Sequence, residues 1–155
     1  MKKPIKTEMV LEAFGVLNTA KYSKLDDADK IKVWKIARAL KPVATKFDED
    51  NKDAAEKLKP EGFDEKVQNA QEYERVTKDP GADTSGLKMG AAEYGAFMKE
   101  FQDYNKLVGK AVKDFADKEV KVEFEPLSDD AFGKLMASND WNLDQVTKLG
   151  SLIVG

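Results

Sequence analysis

Acidic side chains at alternating positions suggest metal chemistry in one short stretch, FDEDNKD. A calcium loop of the EF-hand type that starts at Asp48 would place Lys52 at a ligand position and Asp53 where glycine is required. Lys59 would then stand where the closing glutamate belongs. A second candidate loop, residues 140–151, lacks the same glycine and glutamate. We therefore expect a solvated helix face at FDEDNKD and no metal site in the chain.

The segment GADTSGLK has nearly the spacing of a phosphate-binding loop. Gly81 and Gly86 are correctly separated, but Leu87 and Lys88 stand where lysine followed by serine or threonine is needed. The preceding EYERVTK is polar and helix-like, whereas a phosphate-binding loop normally follows a buried strand. We predict a flexible loop over residues 79–90, which begins with the turn-forming sequence DPG.

Histidine and cysteine are both absent from the 155 residues. Their absence excludes disulfides, thiolate nucleophiles, histidine- or cysteine-ligated metals, and catalysis of the Ser-His-Asp or Cys-His type. Acid–base chemistry would depend on carboxylates, lysine or tyrosine with strongly shifted pKa values. We therefore expect no enzyme activity, no catalytic residues and no cofactor.

Charge and hydropathy place the chain among ordinary soluble proteins. A net charge of −3 and a pI near 5.2 do not attract polyanions to the molecule as a whole. The basic start, MKK, is followed by PIKTE where a signal peptide needs an apolar run. No stretch approaches the roughly 20 apolar residues that span a bilayer. We expect a cytoplasmic protein without membrane contact, in which residues 1–155 form one domain.

Two long stretches of the chain have helical periodicity, and the first covers residues 28–58. Its apolar side chains form the broad face of a core-packed helix. They are Val33, Leu40, Phe47 and Ala54 at seven-residue intervals, with Ile36 and Val43 between them. Pro42 lies inside this run, and we predict a kink there. A break into two helices between Leu40 and Lys41 is the alternative.

The second long stretch, residues 91–118, is the clearest helix in the sequence. Its apolar stripe consists of Tyr94, Phe97, Phe101, Tyr104, Val108 and Phe115. Aromatic side chains at this spacing are typical of a packed core rather than of an exposed stacking platform. The two long helices are then expected to pack antiparallel as a hairpin, joined by a shorter helix that begins at Phe63. On this basis Phe101→Ala should cost roughly 3–5 kcal/mol of stability.

A change of period marks one β-strand immediately after the second long helix. In EVKVEFE, Val120, Val122 and Phe124 alternate with charged residues, which is typical of a half-buried strand. Residues 3–6 are the preferred pairing partner, and residues 86–89 are the alternative. Because a two-stranded ribbon is marginal by itself, we expect it to lie against the helices.

The C-terminal residues 128–155 contain two predicted short helices, capped by Ser128 and Asn142. The predicted inward side chains are Phe132, Leu135 and Met136 in the first helix, and Leu143, Val146, Leu149 and Ile153 in the second. A DNA-reading helix pair needs basic residues, but this region carries two lysines and four aspartates. We expect the pair to be packed on the core.

These elements together predict a mainly α fold with a minor β component. Its parts are an antiparallel hairpin of two long helices, a short β ribbon and a C-terminal pair of short helices. The sequence contains no internal repeat and no low-complexity segment that would suggest another architecture.

Three aromatic residues are candidates for contact with a partner: Trp34, Tyr22 and Trp141. Trp34 lies just off the main stripe of the first long helix, where it either covers the helix flank or stands exposed as an anchor. We expect a non-enzymatic protein that binds a protein partner or another copy of itself. The alternatives are a small-ligand or nucleotide-sequestering protein with a pocket between subunits, and a nucleic-acid-binding regulator, which the acidic charge disfavours.

Four stretches also carry a resemblance at the level of layout. They are the start KTEMVLEAFGVLNTAKYSKLDDADKIKVWKIARALKPVATKFDED, the centre FMKEFQDYNKLVGK, the strand EVKVEFEPLS and the ending LMASNDWNLDQV. In this order they resemble a group of small, mostly uncharacterised helical proteins encoded by bacteriophages and prophages, including those of gut bacteria. The resemblance implies a phage or prophage context, hence the host cytoplasm, and an assembly, regulatory or host-interaction role. It carries over no functional residues.

Overall fold

A computed structural model describes the backbone of residues 2–155 and the side chains of residues 4–155. Within this range the fold is mainly helical, with six helices and one small antiparallel sheet, as predicted. The elements in chain order are β1 (Lys2–Lys6), α1 (Thr7–Asn18), α2 (Asp27–Leu58), α3 (Phe63–Thr77), α4 (Ala91–Asp117), β2 (Glu119–Glu123), α5 (Asp129–Ala137) and α6 (Leu143–Ile153).

The residues group into two compact units by their internal contacts. The first unit consists of the chain up to Asp50 and from Lys113 onward, and the second consists of Asn51–Val112. Both long helices, α2 and α4, contribute residues to both units. Each unit has its own cluster of buried side chains. One domain over residues 1–155 stays a prediction.

The two long helices pack against each other antiparallel, as the predicted hairpin requires. In the second unit, the Tyr104 hydroxyl donates to the carbonyl oxygen of Ala55 at 2.8 Å. In the first unit, Phe115 of α4 lines one pocket together with Phe47 of α2. From the first contact to the second, the residue number falls in α2 (Ala55 to Phe47) and rises in α4 (Tyr104 to Phe115). The two helices therefore run antiparallel.

Pro42 does not interrupt α2, which is one helix from Asp27 to Leu58. The alternative of two helices divided between Leu40 and Lys41 is therefore wrong. Pro42 lies on the exposed side of the helix, whereas Leu40 is fully buried. A proline ring is tolerated there because the lost hydrogen bond and the displaced carbonyl lie on the solvent side.

The two strands pair antiparallel in the register that aligns Ile5 with Val120. This confirms residues 3–6 as the partner and rejects residues 86–89, which form no strand. Ile5 and Val122 are buried in the cluster of the first unit. The ribbon is thus supported by packing, as its small size demands.

Thr7 anchors the start of α1 in a way that the sequence does not reveal. Lys6 is the N-cap residue, and no side chain caps the helix. The Thr7 hydroxyl donates instead to the carbonyl oxygen of Lys118 at 2.7 Å, and the Thr7 amide donates to the same oxygen at 2.8 Å. Thr7 is therefore the first residue of α1 rather than its cap, and its hydroxyl binds the backbone just after α4.

The C-terminal helical pair has both predicted caps. The Ser128 hydroxyl accepts from the amide of Ala131 at 3.1 Å, and Asn142 forms a reciprocal capping box with Gln145. The expected inward position of Leu143 is wrong, since this residue is 80% exposed. Leu152 is buried instead. Leu143 lies in the first turn of α6, before the helix reaches the buried cluster.

The second unit is organised around Phe63, the first residue of α3. Its ring centroid lies 4.6 Å from that of Tyr104, 5.8 Å from that of Phe97 and 6.0 Å from that of Phe101. Of these α4 residues only Phe97 is buried, and the other two are half-buried. The predicted burial of the α4 aromatic stripe is therefore only partial, and its last member, Phe115, belongs to the first unit.

Candidate functional site

The outward side of α2 carries an unusual concentration of positive charge. Between Lys30 and Lys46 the sequence has six basic residues and no acidic residue, although the whole chain is acidic. Val33, Ile36 and Leu40 are fully buried, so the residues on the opposite side of the helix point to solvent. We call the exposed residues of this side the basic face of α2: Ile31, Trp34, Lys35, Arg38 and Lys41.

Trp34 and Arg38 form the centre of the basic face. Trp34 is 56% exposed, which is unusual for a side chain as large and apolar as that of tryptophan. The Arg38 guanidinium carbon lies 4.7 Å from the centroid of the Trp34 ring, within the range of a cation–π interaction. The two residues are one helical turn apart, at the spacing where side chains meet on a helix surface. The pair therefore presents an aromatic ring and a guanidinium group together to solvent.

A groove of about 310 Å³ lies beside this pair, between α2 and the segment that follows β2. Its lining residues are Lys32, Lys35, Arg38, Ala39, Glu123, Phe124 and Glu125. We call it the α2–β2 groove. Lys32 forms an ion pair of 3.4 Å with Glu125 across it. The groove has cations on its α2 wall and carboxylates on the other, so it can receive a mixed polar and apolar segment.

Tyr22 and Trp141 differ from Trp34 in exposure. Both are half-buried and pack against the hydrophobic cluster of the first unit. The chain around Tyr22 is hydrogen bonded to the turn that precedes Trp141, since the amide of Lys21 donates to the side chain of Asn139. The structure thus brings these two aromatic regions together. Their role as partner contacts stays a prediction, whereas Trp34 has the exposure that such a role requires.

Acidic side chains in the two segments considered for ligand chemistry, FDEDNKD in α2 and residues 79–90, have local hydrogen-bond partners. Asp50 pairs with Lys46 at 2.9 Å, one turn earlier on α2. In the loop of residues 79–90, Asp79 accepts from the amide of Gly81, and Asp83 accepts from the amide of Ser85. These are self-contained turns of Asx type. Nowhere in residues 4–155 do three or more acidic, histidine or cysteine side chains cluster closely enough to hold a metal ion.

In the second unit, Tyr94 of α4 lies beside Glu74 of α3. The Tyr94 hydroxyl donates a hydrogen bond to the Glu74 carboxylate. This bond, followed by burial, raises the pKa of Tyr94 above its ordinary value of 10.0. A tyrosine held in its neutral form is no general base at neutral pH. The pair therefore joins α3 to α4 rather than preparing a reactive group.

The fold and the surface define a mainly helical protein with one basic, tryptophan-containing helix face. No helix in the described part of the chain is both long enough and apolar enough to cross a membrane. Comparison with protein-family models, with curated proteins and with solved structures gives no match for this chain.

Sequence reasoning identified Trp34 but missed its partner Arg38 and the surrounding charge. The signal was present in the sequence, because a run of six basic residues without an acidic one is readable directly. The four-residue spacing of Trp34 and Arg38 also predicts contact on a helix. Whether the two side chains face solvent depends on the packing of the opposite face.

Proposed function

We propose that this chain is a non-enzymatic interaction protein that binds an acidic segment of a partner protein through the basic face of α2. The observation that carries the proposal is the exposed stack of Trp34 and Arg38 within a helix stretch that has no acidic residue. Tryptophan and arginine are the residue types most enriched among the energetic centres of protein interfaces. Their desolvation by a partner strengthens both the apolar contact and the arginine–carboxylate pairing.

The charges around the basic face favour a protein partner over a nucleic acid. Asp27 and Asp29 precede the basic stretch, and Glu123 and Glu125 flank it across the α2–β2 groove. A nucleic acid backbone carries a regular series of phosphates, and the carboxylates of Asp27 and Asp29 would repel it where the basic stretch begins. A protein segment can place its few carboxylates opposite Lys35 and Arg38 and an apolar side chain on Trp34.

The biological setting of the proposal comes from the resemblance to phage and prophage proteins. Such a setting is consistent with an assembly or regulatory role in which the chain recruits another protein without changing it chemically. Self-association is a special case, because the carboxylates of a second copy would be the acidic partner. Light scattering of the purified protein over a concentration series measures its molecular mass and so distinguishes self-association from binding to a different protein.

The decisive experiment measures binding of a defined acidic probe to variants of the basic face. A fluorescein-labelled peptide of alternating leucine and glutamate is titrated with protein at two salt concentrations, and anisotropy reports binding. Trp34→Ala and Arg38→Glu should each weaken binding about tenfold or more, the loss expected for a central interface residue. Binding should also weaken as salt is raised.

Two controls match these variants in exposure and chemistry. Leu107→Ala removes an apolar side chain that is 51% exposed on α4, and Lys110→Glu reverses an exposed charge on the same helix. Neither should change peptide binding. A peptide of alternating leucine and lysine that binds equally well would refute the proposal. Duplex DNA added at the same total negative charge as the peptide should not displace the peptide from the unsubstituted protein. Displacement would instead identify a nucleic-acid-binding surface.

A further inference from the structure

A second cavity lies in the first unit, between α2, the end of α4 and the start of β2. Its volume is about 340 Å³. It is lined by Thr7 at the start of α1, by Pro42, Val43, Lys46, Phe47 and Asp50 of α2, by Phe115 of α4, and by Lys118, Val120 and Lys121 around the start of β2. We call it the Phe47–Phe115 pocket.

The interior of the Phe47–Phe115 pocket is apolar and incompletely covered. Val43, Phe47, Phe115 and Val120 are all half-buried rather than buried. In the part of the chain that the structure describes, neither phenylalanine stacks on another aromatic ring. Half-exposed phenylalanine rings that face a common cavity leave apolar area in water, and a ligand that removes this area from water gains free energy.

The mouth of the pocket has an excess of positive charge. Lys46 and Asp50 neutralise each other through their 2.9 Å contact, and the hydrogen bond to Asp50 raises the pKa of Lys46. Within residues 4–155, Lys118 and Lys121 form no ion pair with a carboxylate. Both lysines are exposed and line the pocket, so their ammonium groups are available to a ligand at its mouth.

We propose that the Phe47–Phe115 pocket binds a small amphipathic anion, an apolar chain or ring that ends in a carboxylate. The apolar body lies between Phe47 and Phe115, and the carboxylate lies at the mouth with Lys118 and Lys121. The volume is within the range of about 300–1,000 Å³ that small-molecule sites occupy. This site is distinct from the basic face of α2, and its occupancy does not depend on the proposed protein partner.

Nuclear magnetic resonance titration tests the ligand class with four probes of known chemistry. Sodium octanoate, 1-octanol, octylammonium chloride and inorganic phosphate are each added to the ¹⁵N-labelled full chain. Octanoate should shift the backbone amides of Phe47, Phe115 and Val120 saturably, octanol more weakly, and octylammonium and phosphate not saturably. Phosphate binding as tight as octanoate would overturn the proposal, because it would show that the apolar interior is not used. Equal binding of octylammonium would also overturn it.

Variants at the mouth separate the charge contribution from the apolar one. The double substitution Lys118→Ala with Lys121→Ala should weaken octanoate binding about tenfold, since each partly exposed pairing contributes a few-fold. Octanol binding should stay unchanged, and Lys113→Ala serves as the matched control because this exposed lysine does not line the pocket. Circular dichroism verifies that each variant folds.

A filling substitution provides the complementary test. Val43→Trp places an indole in the cavity and should abolish saturable binding of both octanoate and octanol. Unchanged octanoate binding in Val43→Trp, or in the double lysine variant, would refute the site. Arg38→Glu should bind octanoate normally, so failure of the ligand proposal and failure of the protein-docking proposal are distinguishable.

Discussion

The side-chain amide of Asn139 holds the backbone of Lys21 through two reciprocal hydrogen bonds. Its Oδ1 accepts from the Lys21 amide at 2.8 Å, and its Nδ2 donates to the Lys21 carbonyl oxygen at 2.9 Å. Nδ2 also donates to the carbonyl oxygen of Leu135 at 2.8 Å. Next to it, the Ser138 hydroxyl accepts from the amide of Lys24 at 2.9 Å. The connector after α1 is thereby fastened to the end of α5, 118 positions later in the chain.

Asn139→Asp is the most direct test of this attachment. The substitution keeps the shape of the side chain but replaces the donating amide with a carboxylate oxygen that faces two carbonyl groups. We expect a loss of about 1–3 kcal/mol in the free energy of unfolding, because two hydrogen bonds are lost and their acceptors become unpaired. Urea denaturation measures it, with the exposed Asn105→Asp as control. Equal stability of the two variants would contradict the attachment.

Phe63→Ala should be the most damaging single truncation in the second unit. Phe63 is buried and touches three aromatic rings of α4, so its removal should cost about 3–5 kcal/mol. Phe101→Ala should cost less than this range, because Phe101 is only half-buried and part of its area is already in water. Hydrogen exchange of the α3 and α4 backbone amides measures the loss of stability in each variant. A larger effect at Phe101 than at Phe63 would contradict the observed burial.

Two glycines on the C-terminal helical pair predict opposite effects of the same substitution. A Cβ at Gly150 would lie 3.1 Å from a ring carbon of Phe132, whereas a Cβ at Gly133 would have no neighbour within 4 Å. Gly150→Ala should destabilise by about 1–3 kcal/mol through overpacking. Gly133→Ala should stabilise by about 0.5–1 kcal/mol, since alanine is the better helix former. Thermal denaturation distinguishes them, and stabilisation by both would show that Phe132 moves freely.

Tyr94 predicts a pH dependence on the alkaline side. Its folded-state pKa is raised above the ordinary 10.0, first by the hydrogen bond to Glu74. The neutral hydroxyl therefore contributes stability that is fully present below the ordinary pKa and is lost as pH rises through the raised value. Absorbance of the tyrosinate anion should show one late-titrating tyrosine, which Tyr94→Phe removes. Glu74→Gln should return this titration toward its ordinary pH, and an unchanged titration would contradict the predicted cause.

Short-range sequence patterns were enough to predict the helices and strands of this fold. The seven-residue recurrence of apolar side chains predicted α2 and α4, the alternation around Val122 predicted β2, and Ser128 and Asn142 predicted the starts of α5 and α6. These signals depend on residues within one or two turns of each other, so they can be read from sequence. The effect of Pro42 on α2 was harder to predict from the sequence, because it depends on which side of the helix faces solvent.

The candidate sites depended on contacts that periodicity does not encode. Trp34 could be named from its position off the main stripe, but its exposure follows from the burial of Val33 and Ile36 on the other side of α2. The Phe47–Phe115 pocket could not be predicted, since its walls come from segments about residues 7, 42–50 and 115–121. No local pattern relates these segments.

By itself, the sequence determined where helices and strands lie, which side of each is apolar, and that no histidine or cysteine chemistry is possible. Only the tertiary structure decided how far each apolar side is covered. Phe97 and Phe115 occupy equivalent positions on one stripe, yet Phe97 is buried beside Phe63 and Phe115 stays half-open in its pocket. The physical reason is that helical period is a property of one segment, whereas burial requires a second surface to pack against it.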